Sequence, residues 1–579
     1  MKKLKFVCLL LTASMLGTGL MACTKEGEGE ETSATTIPST IETVATDPAV
    51  EENLDYEYGE HFHSDVPVTY TMFFSDASWY AMQDTWLTEG LFKDIEDITN
   101  VHLDIKSYDS SDYMNNITLD INAGESAYII PKIYDDSAFV DGGAIVPISQ
   151  YVKYMPNYVD FYNTYGMQED LLTITRSDGN YYKLPGMYDA TMPDYSLLVR
   201  KDLFAAAGVD IEAIEKDYTW EDLCDALVKV KAYMVSQGMC SESDYIWSDL
   251  WCGNESGQGS GGNLLKLMGN SYDVNAGWAI GDGMRYDQAA DKFYFSPVTD
   301  KYKAFLKVAH KFVEAGILDP ETFTQDDSTA TNKFFNGQTA IISVNKSQYA
   351  NFVSNLDSNL GAGNYEVYYA VAPQGSTNYS PAGAGRLECG VMISQKALDE
   401  LGEDGFIKML RFVDWLFYSK EAYTLVKWGV EGKTYQVNAD GSKSLMPGMC
   451  CSGLGYANDE EGSMTDIRLQ WGYAGGNFWY GHTMEEASDH FIPPVAAFVA
   501  HVSEYRDAVP LSPGLAPTED QTEEMNLIAT PLTDNVNTWT LSFVTGKEDI
   551  DAKWDEYVAS CEGLNYQGLE ELYAEVYGK

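Results

Sequence analysis

The sequence predicts an α/β fold, and three patterns lead to that prediction. Between Pro67 and Tyr134, strand-like and helix-like segments alternate at the spacing of βαβ units. Later helical stretches end at glycines, as helices do where a left-handed residue closes the last turn. Short runs rich in β-branched and aromatic residues fall between them. Taken in order, Pro67–Phe74 alternates apolar and polar residues and reads as a first strand. Trp86–Thr99 is amphipathic, Val101–Ser107 is a second strand, Asp112–Ala123 is helical, and Ala127–Tyr134 is an apolar run. Asp178-Gly179-Asn180 is a turn leading into Leu184-Pro185-Gly186, and Ser196–Val199 is a further strand.

Trp220–Tyr233 is an amphipathic helix with Thr219 at its N-cap and Asp222 in the first turn. Lys301–Ala315 closes at Gly316, and Phe406–Trp428 closes at Gly429. Thr339–Val344, Val367–Val371 and Gly390–Ser394 read as strands. No solenoid-type internal repeat is evident.

The chain has 579 residues, enough for two to four domain-sized units. Its formal net charge of −51 argues against nucleic acid or anionic lipid headgroups as direct partners. No segment after the N-terminus supplies the ~20 uninterrupted apolar residues of a membrane span. Cys224, Cys240, Cys252, Cys389, Cys450, Cys451 and Cys561 follow no disulfide or zinc spacing, so Cys450-Cys451 reads as two thiols. No HExxH occurs, and no metal or cofactor is expected.

At the N-terminus, Lys2, Lys3 and Lys5 precede the apolar stretch Phe6–Leu16, and Leu20-Met21-Ala22 precedes Cys23. This order describes a secretory signal, residues 1–22. The four closing residues resemble the lipobox of bacterial lipoproteins, which implies lipidation of Cys23. An uncleaved N-terminal anchor is the alternative for the same stretch. Residues 23–65 are acidic and poor in apolar side chains, and read as a disordered tether. The expected location is the outer face of the cell membrane, held by the lipid.

Several segments resemble, in order, the family 1 extracellular solute-binding proteins, and in particular their long lipoprotein branch in Gram-positive bacteria. They are Asp178–Pro185, Leu198–Leu203 with Thr219–Leu223, Glu314–Glu321 with Phe335–Ala340, Gly429–Tyr435, and Phe543–Lys547 with Gly563-Leu564. The resemblance implies the two-lobed type II periplasmic-binding-protein fold, with a hinge and a ligand cleft between the lobes. It places 66–195 plus 366–400 in an N-terminal lobe and 196–365 plus 401–579 in a C-terminal lobe. The last crossing between lobes is expected near residue 400. The implied function is a non-enzymatic receptor delivering a small-molecule ligand, an oligosaccharide, to ABC permease subunits. A lipid-anchored polysaccharide hydrolase and a peptide or signal receptor on the same fold are the alternatives.

Sugars are recognised by flat aromatic rings beneath their C–H faces and by polar groups around their hydroxyls. The chain's 12 Trp and 40 Tyr exceed what its cores require, and several lie in loop contexts. Trp79, Asp135, Asp189, Trp251, Glu255 and Trp479 are the candidate ligand residues on this basis, and at least half of their loops are expected to line the cleft. The glycine run Gly257–Gly262 lacks the Lys-Ser/Thr ending of a P-loop and reads as a flexible cleft loop. Asp135-Asp136 and Asp326-Asp327 read as solvated acids rather than calcium ligands. With 37 basic residues against 88 acidic, a neutral ligand is expected; Arg176, Arg200, Arg285 and Arg386 are the candidate clamps for an anionic one.

Overall fold

A computed structural model describes residues 56–578 apart from 78–80, 141, 177, 383–384, 452–463, 476, 479–480 and 516. The signal, most of the tether, Cys23, Trp79 and Trp479 lie outside the described residues. The strands that carry the architecture are β1 (Val68–Asp76), β2 (Val101–Asp109), β3 (Ile129–Ile133), β4 (Lys183–Tyr188), β5 (Tyr195–Arg200), β6 (Ile341–Asn345), β7 (Val367–Ala370), β8 (Leu387–Ile393) and β9 (Gly481–His482). They form two sheets, one per lobe, in the orders β9-β4-β8-β3-β1-β2 and β6-β5-β7.

In the first sheet β1 runs parallel to β2 and β3, β8 runs antiparallel to β3 and β4, and β9 runs parallel to β4. The carboxyl ends of β1, β3, β4 and β9 therefore share one edge with the start of β8. In the second sheet β5 is antiparallel to both neighbours, pairing Tyr195 with Asn345 and Leu197 with Ala370. One edge of that sheet thus gathers the start of β5 and the ends of β6 and β7.

Each sheet is covered on both faces, and the period of two in the strands shows why. Met72 and Phe74 enter one core while Phe73 between them enters another, with Tyr113, Ile117 and Ile130. Leu197 and Val199 likewise separate from Leu198, which packs with Ile342 and Val344. Helix Trp220–Ser236 has its capping box, Thr219 accepting from Asp222 N and Asp222 accepting in return. The expected helix across 406–428 is two helices, Gln395–Tyr418 and Lys420–Trp428, divided at Ser419.

The chain does not leave the first lobe near residue 400. Gly402 kinks helix Gln395–Tyr418 at φ 67°, where glycine carries no side-chain penalty. Beyond the kink Phe406, Met409, Leu410, Val413 and Phe417 form one apolar stripe buried in the first core. Tyr435, Leu445, Ile467, Tyr473 and Phe478 join the same core. The described residues of 406–478 that enter this core, placed in the second lobe by the sequence reading, pack on the first.

Asp414 fastens this helix beneath the sheet. It is fully buried and accepts from Asn157 N at 3.0 Å, Asn157 Nδ2 at 2.7 Å and Tyr158 N at 2.8 Å. Helix Pro156–Thr164 thereby satisfies its first-turn donors with a carboxylate from another helix. Burial pushes the Asp414 carboxyl up to about 7, against the pull of these donors. Asp414→Ala is expected to strand buried donors and cost on the order of 3 kcal/mol. Earlier unfolding in urea checks this; an unchanged midpoint contradicts it.

Candidate functional site

Three crossings join the lobes, at 189–194, 371–386 and 483–492, and all leave from the sheet edges just described. Asp189 ties them together. Its carbonyl accepts from Arg386 Nη1 at 3.2 Å at the end of the second crossing. Its carboxylate accepts from Met484 N at 2.6 Å at the start of the third. Arg386 is held in turn by the buried Asp170 and by Tyr165 O at 2.9 Å.

The second lobe presents an aromatic cluster at its sheet edge. The Tyr195 ring meets Trp251 edge-on at 5.2 Å and Trp278 edge-on at 5.7 Å, and the two tryptophans are 6.2 Å apart. All three are part-exposed. Trp251 sits at φ 60°, an uncommon conformation for a non-glycine residue. Asp327 Oδ1 holds it there, accepting from Trp251 N at 2.7 Å and Ser256 Oγ at 2.8 Å. The buried Asp249 seats the same loop on β6, accepting from Ser343 N at 2.6 Å, Ser343 Oγ at 2.8 Å and Leu250 N at 3.0 Å.

The glycines of this loop serve close packing. A Cβ on Gly262 would stand 1.7 Å from Trp251 O, and one on Gly257 would stand 2.3 Å from Cys252 O. The turn Gly253–Ser260 is closed by Gly257 N donating to Gly253 O at 2.6 Å and Ser260 N donating to Gly257 O at 2.9 Å. A packed, hydrogen-bonded turn stands where a flexible loop was expected.

The first lobe faces this cluster with the ends of β3, β4 and β8. Tyr134, just after β3, is 64% exposed. It lies near enough to Tyr195 to act on it electrostatically, as does Glu388. Burial, then Asp194, pushes the Tyr195 phenol up. Tyr188 donates to Glu388 Oε2 at 3.0 Å. Beneath Tyr134, Lys183 donates to its carbonyl and Arg176 pairs with the buried Asp136. Asp135 is exposed; burial of its carboxyl acts upward, but bonds from the Ser137 hydroxyl and N–H, with Lys183 and Arg176, hold it below the usual range.

Of the candidates read from sequence, Asp135 follows β3 in the first lobe and Trp251 stands beside Tyr195 in the second. Asp189 is at the hinge, and Glu255 is exposed in the turn after Trp251. Asp76 Oδ1, at the end of β1, accepts from Met82 N at 3.0 Å. Asn477 pairs with Ser75 N and O at 3.2 and 3.1 Å, bringing the glycine–aromatic loop to the same strand end. Sequence reasoning missed Tyr195 and Trp278. Tyr195 carried a signal, since it opens the strand that follows the first crossing; Trp278 carried none.

The four candidate arginine clamps are committed elsewhere. Arg176 is held by Asp136, Arg386 by Asp170, and Arg285 by Asp273 at 2.7 Å. Arg200 grips Asp202 through two bonds of 2.8 and 2.7 Å.

The chain belongs to the bacterial extracellular solute-binding proteins, whose family model matches residues 90–388. It is therefore a solute-binding protein. No curated protein sequence matches it. Among solved structures, it is similar to an HMO-binding, ABC-transporter-associated solute-binding protein from Bifidobacterium longum infantis, with TM-score 0.65 and 13% identity over 89% of this chain and 99% of that one. It is also similar to an alginate-binding protein solved without calcium ion, with TM-score 0.62 and 14% identity over 90% and 100% of the two chains. A third is the FusA substrate-binding protein of Streptococcus pneumoniae in complex with kestose, with TM-score 0.60 and 16% identity over 88% and 99%. These likenesses establish the two-lobed fold. Among the described residues no helix is long and apolar enough to cross a membrane.

The third crossing starts from a buried ionisable cluster. The His482 ring stacks on Tyr423 at 4.7 Å, and burial pulls its imidazole down to about 3. Burial likewise pulls His490 down to about 4. Lys427 pairs with Asp489 beside them; burial lowers the ammonium to about 8, so the pair stays charged at neutral pH. Burial acts upward on Asp489, but His490, Lys427 and Trp428 together hold it at about 2.

A histidine depressed in the folded state contributes stability above its unfolded pKa, which is lost as pH falls toward the folded value. Stability is therefore expected to fall between about pH 6.5 and pH 4. His482→Gln combined with His490→Gln should flatten that fall in thermal melts. A decline of equal steepness in the double variant contradicts this assignment.

Proposed function

We propose that this protein is a membrane-tethered receptor that captures a carbohydrate, an oligosaccharide, between its lobes and delivers it to an ABC importer. The observation that carries the reading is the Tyr195–Trp251–Trp278 cluster, part-exposed at the sheet edge from which the crossings leave and opposed by Tyr134. Aromatic faces suit the C–H surfaces of sugar rings, and Arg176, Arg200, Arg285 and Arg386 each pair with an aspartate. The oligosaccharide ligands of structural neighbours support the same class. The lipobox-like residues before Cys23 and the acidic stretch after it support tethering by lipid at the outer face of the membrane.

Contacts to both lobes stabilise the closed arrangement over the open one, so the ligand shifts the population. The permease subunits then read the closed shape. Isothermal titration against a panel of oligosaccharides tests this reading. Tight binding without release of shorter products is expected. Trp251→Ala and Trp278→Ala should each weaken binding by ~1–3 kcal/mol and leave the melting temperature nearly unchanged. Unaltered affinity in both variants, or turnover of the glycan, overturns the proposal.

A further inference from the structure

Helix Gly262–Ser271 carries a lysine that the cleft does not satisfy. Lys266 is part-buried, and its Nζ stands 5.0 Å from the centre of the Tyr195 ring. Among the described residues it makes no hydrogen bond or ion pair. Four other cations in the two lobes have partners. Lys346 donates to Pro193 O at 2.7 Å and lies 3.7 Å from Asp194. Lys183 donates to Tyr134 O, Lys132 reaches Cys389 Sγ at 3.6 Å, and Arg176 pairs with Asp136.

Lys266 is held in a rigid block with the aromatic cluster. Asn263 N, one turn before it, donates to Trp251 O at 3.1 Å. The segment leading to Trp278 packs so closely on the helix that a Cβ on Gly277 would stand 2.1 Å from Gly262 O and 2.5 Å from Lys266 N. Two stacking rings and one ammonium are thus fixed relative to each other before any ligand arrives, which lowers the ordering cost of binding. Burial disfavours the charged form of Lys266, and Asp194, shared with Lys346, offsets this only in part. The Tyr195 face gives the part-buried ammonium a cation–π contact but no hydrogen-bond acceptor.

We propose that Lys266 is an anion subsite, pairing with the carboxylate of an acidic sugar residue whose ring lies against Trp251 and Trp278. This rests on the carbohydrate reading above and sharpens it. A neutral ligand was the expectation because arginine forks were scarce, but a lysine binds a carboxylate as a point charge and needs no fork.

The test is titration calorimetry with matched pairs: galactotriose against trigalacturonic acid, and lacto-N-neotetraose against its sialylated form. The expected result is that the acidic member of at least one pair binds about tenfold more tightly, as a charge-assisted hydrogen bond provides. Lys266→Met should remove that preference while retaining binding of the neutral member, and Lys266→Arg should keep it. A preference for neutral members, or an acidic preference that survives in Lys266→Met, overturns the subsite and leaves the carbohydrate reading standing. Absence of binding by every glycan overturns both.

Discussion

Asp189 offers its backbone carbonyl to one lobe crossing and its side chain to another, and the relative placement of the lobes depends on that shared residue. Arg386 reaches it from the second crossing and Met484 N from the third. Arg386 is itself locked by Asp170 and Tyr165 in the first lobe. The three crossings are thus coupled near their first-lobe ends, while their far ends enter β5, β7 and helix Pro493–Tyr505 in the second lobe. Rotation between lobes must be absorbed in short segments on the second-lobe side, the arrangement a hinge requires.

The faces themselves are built by buried acids. Asp249 and Asp327 accept from backbone and serine donors around Trp251, and so hold a tryptophan at positive φ with its ring against Tyr195. Strained backbone persists only where surroundings over-determine it, and it concentrates at binding sites. In a chain of net charge −51, acids of this kind look interchangeable in the sequence. In the structure they divide into buried acceptors that position loops and exposed ones that keep the protein soluble. The cations follow the same division: Arg176 and Arg386 pair with the buried Asp136 and Asp170, and the Lys266 ammonium faces the Tyr195 ring.

What could be read from the sequence was what local physics decides. The alternation in Val68–Asp76 sends Phe73 one way and Met72 and Phe74 the other, and Thr219 with Asp222 forms the capping box its spacing implies. Trp251 was legible as a ring in a glycine-rich loop. The return of the chain to the second lobe was not, because the stripe Phe406–Phe417 is equally suited to either sheet. Its choice is made by Asp414 meeting Asn157 and Tyr158, residues far away in sequence. Tyr195, Trp278 and Lys266 come together by the same long-range route, and the partners of Arg176 and Arg386 were hidden for the same reason.

We propose that one ligand bridges both lobes and draws them together around the hinge at Asp189. Small-angle X-ray scattering of the protein, alone and saturated with a glycan that binds in calorimetry, measures this directly. The account predicts a smaller radius of gyration in the saturated sample, and a return to the larger value when the glycan is removed. Identical scattering curves with the glycan demonstrably bound would contradict it.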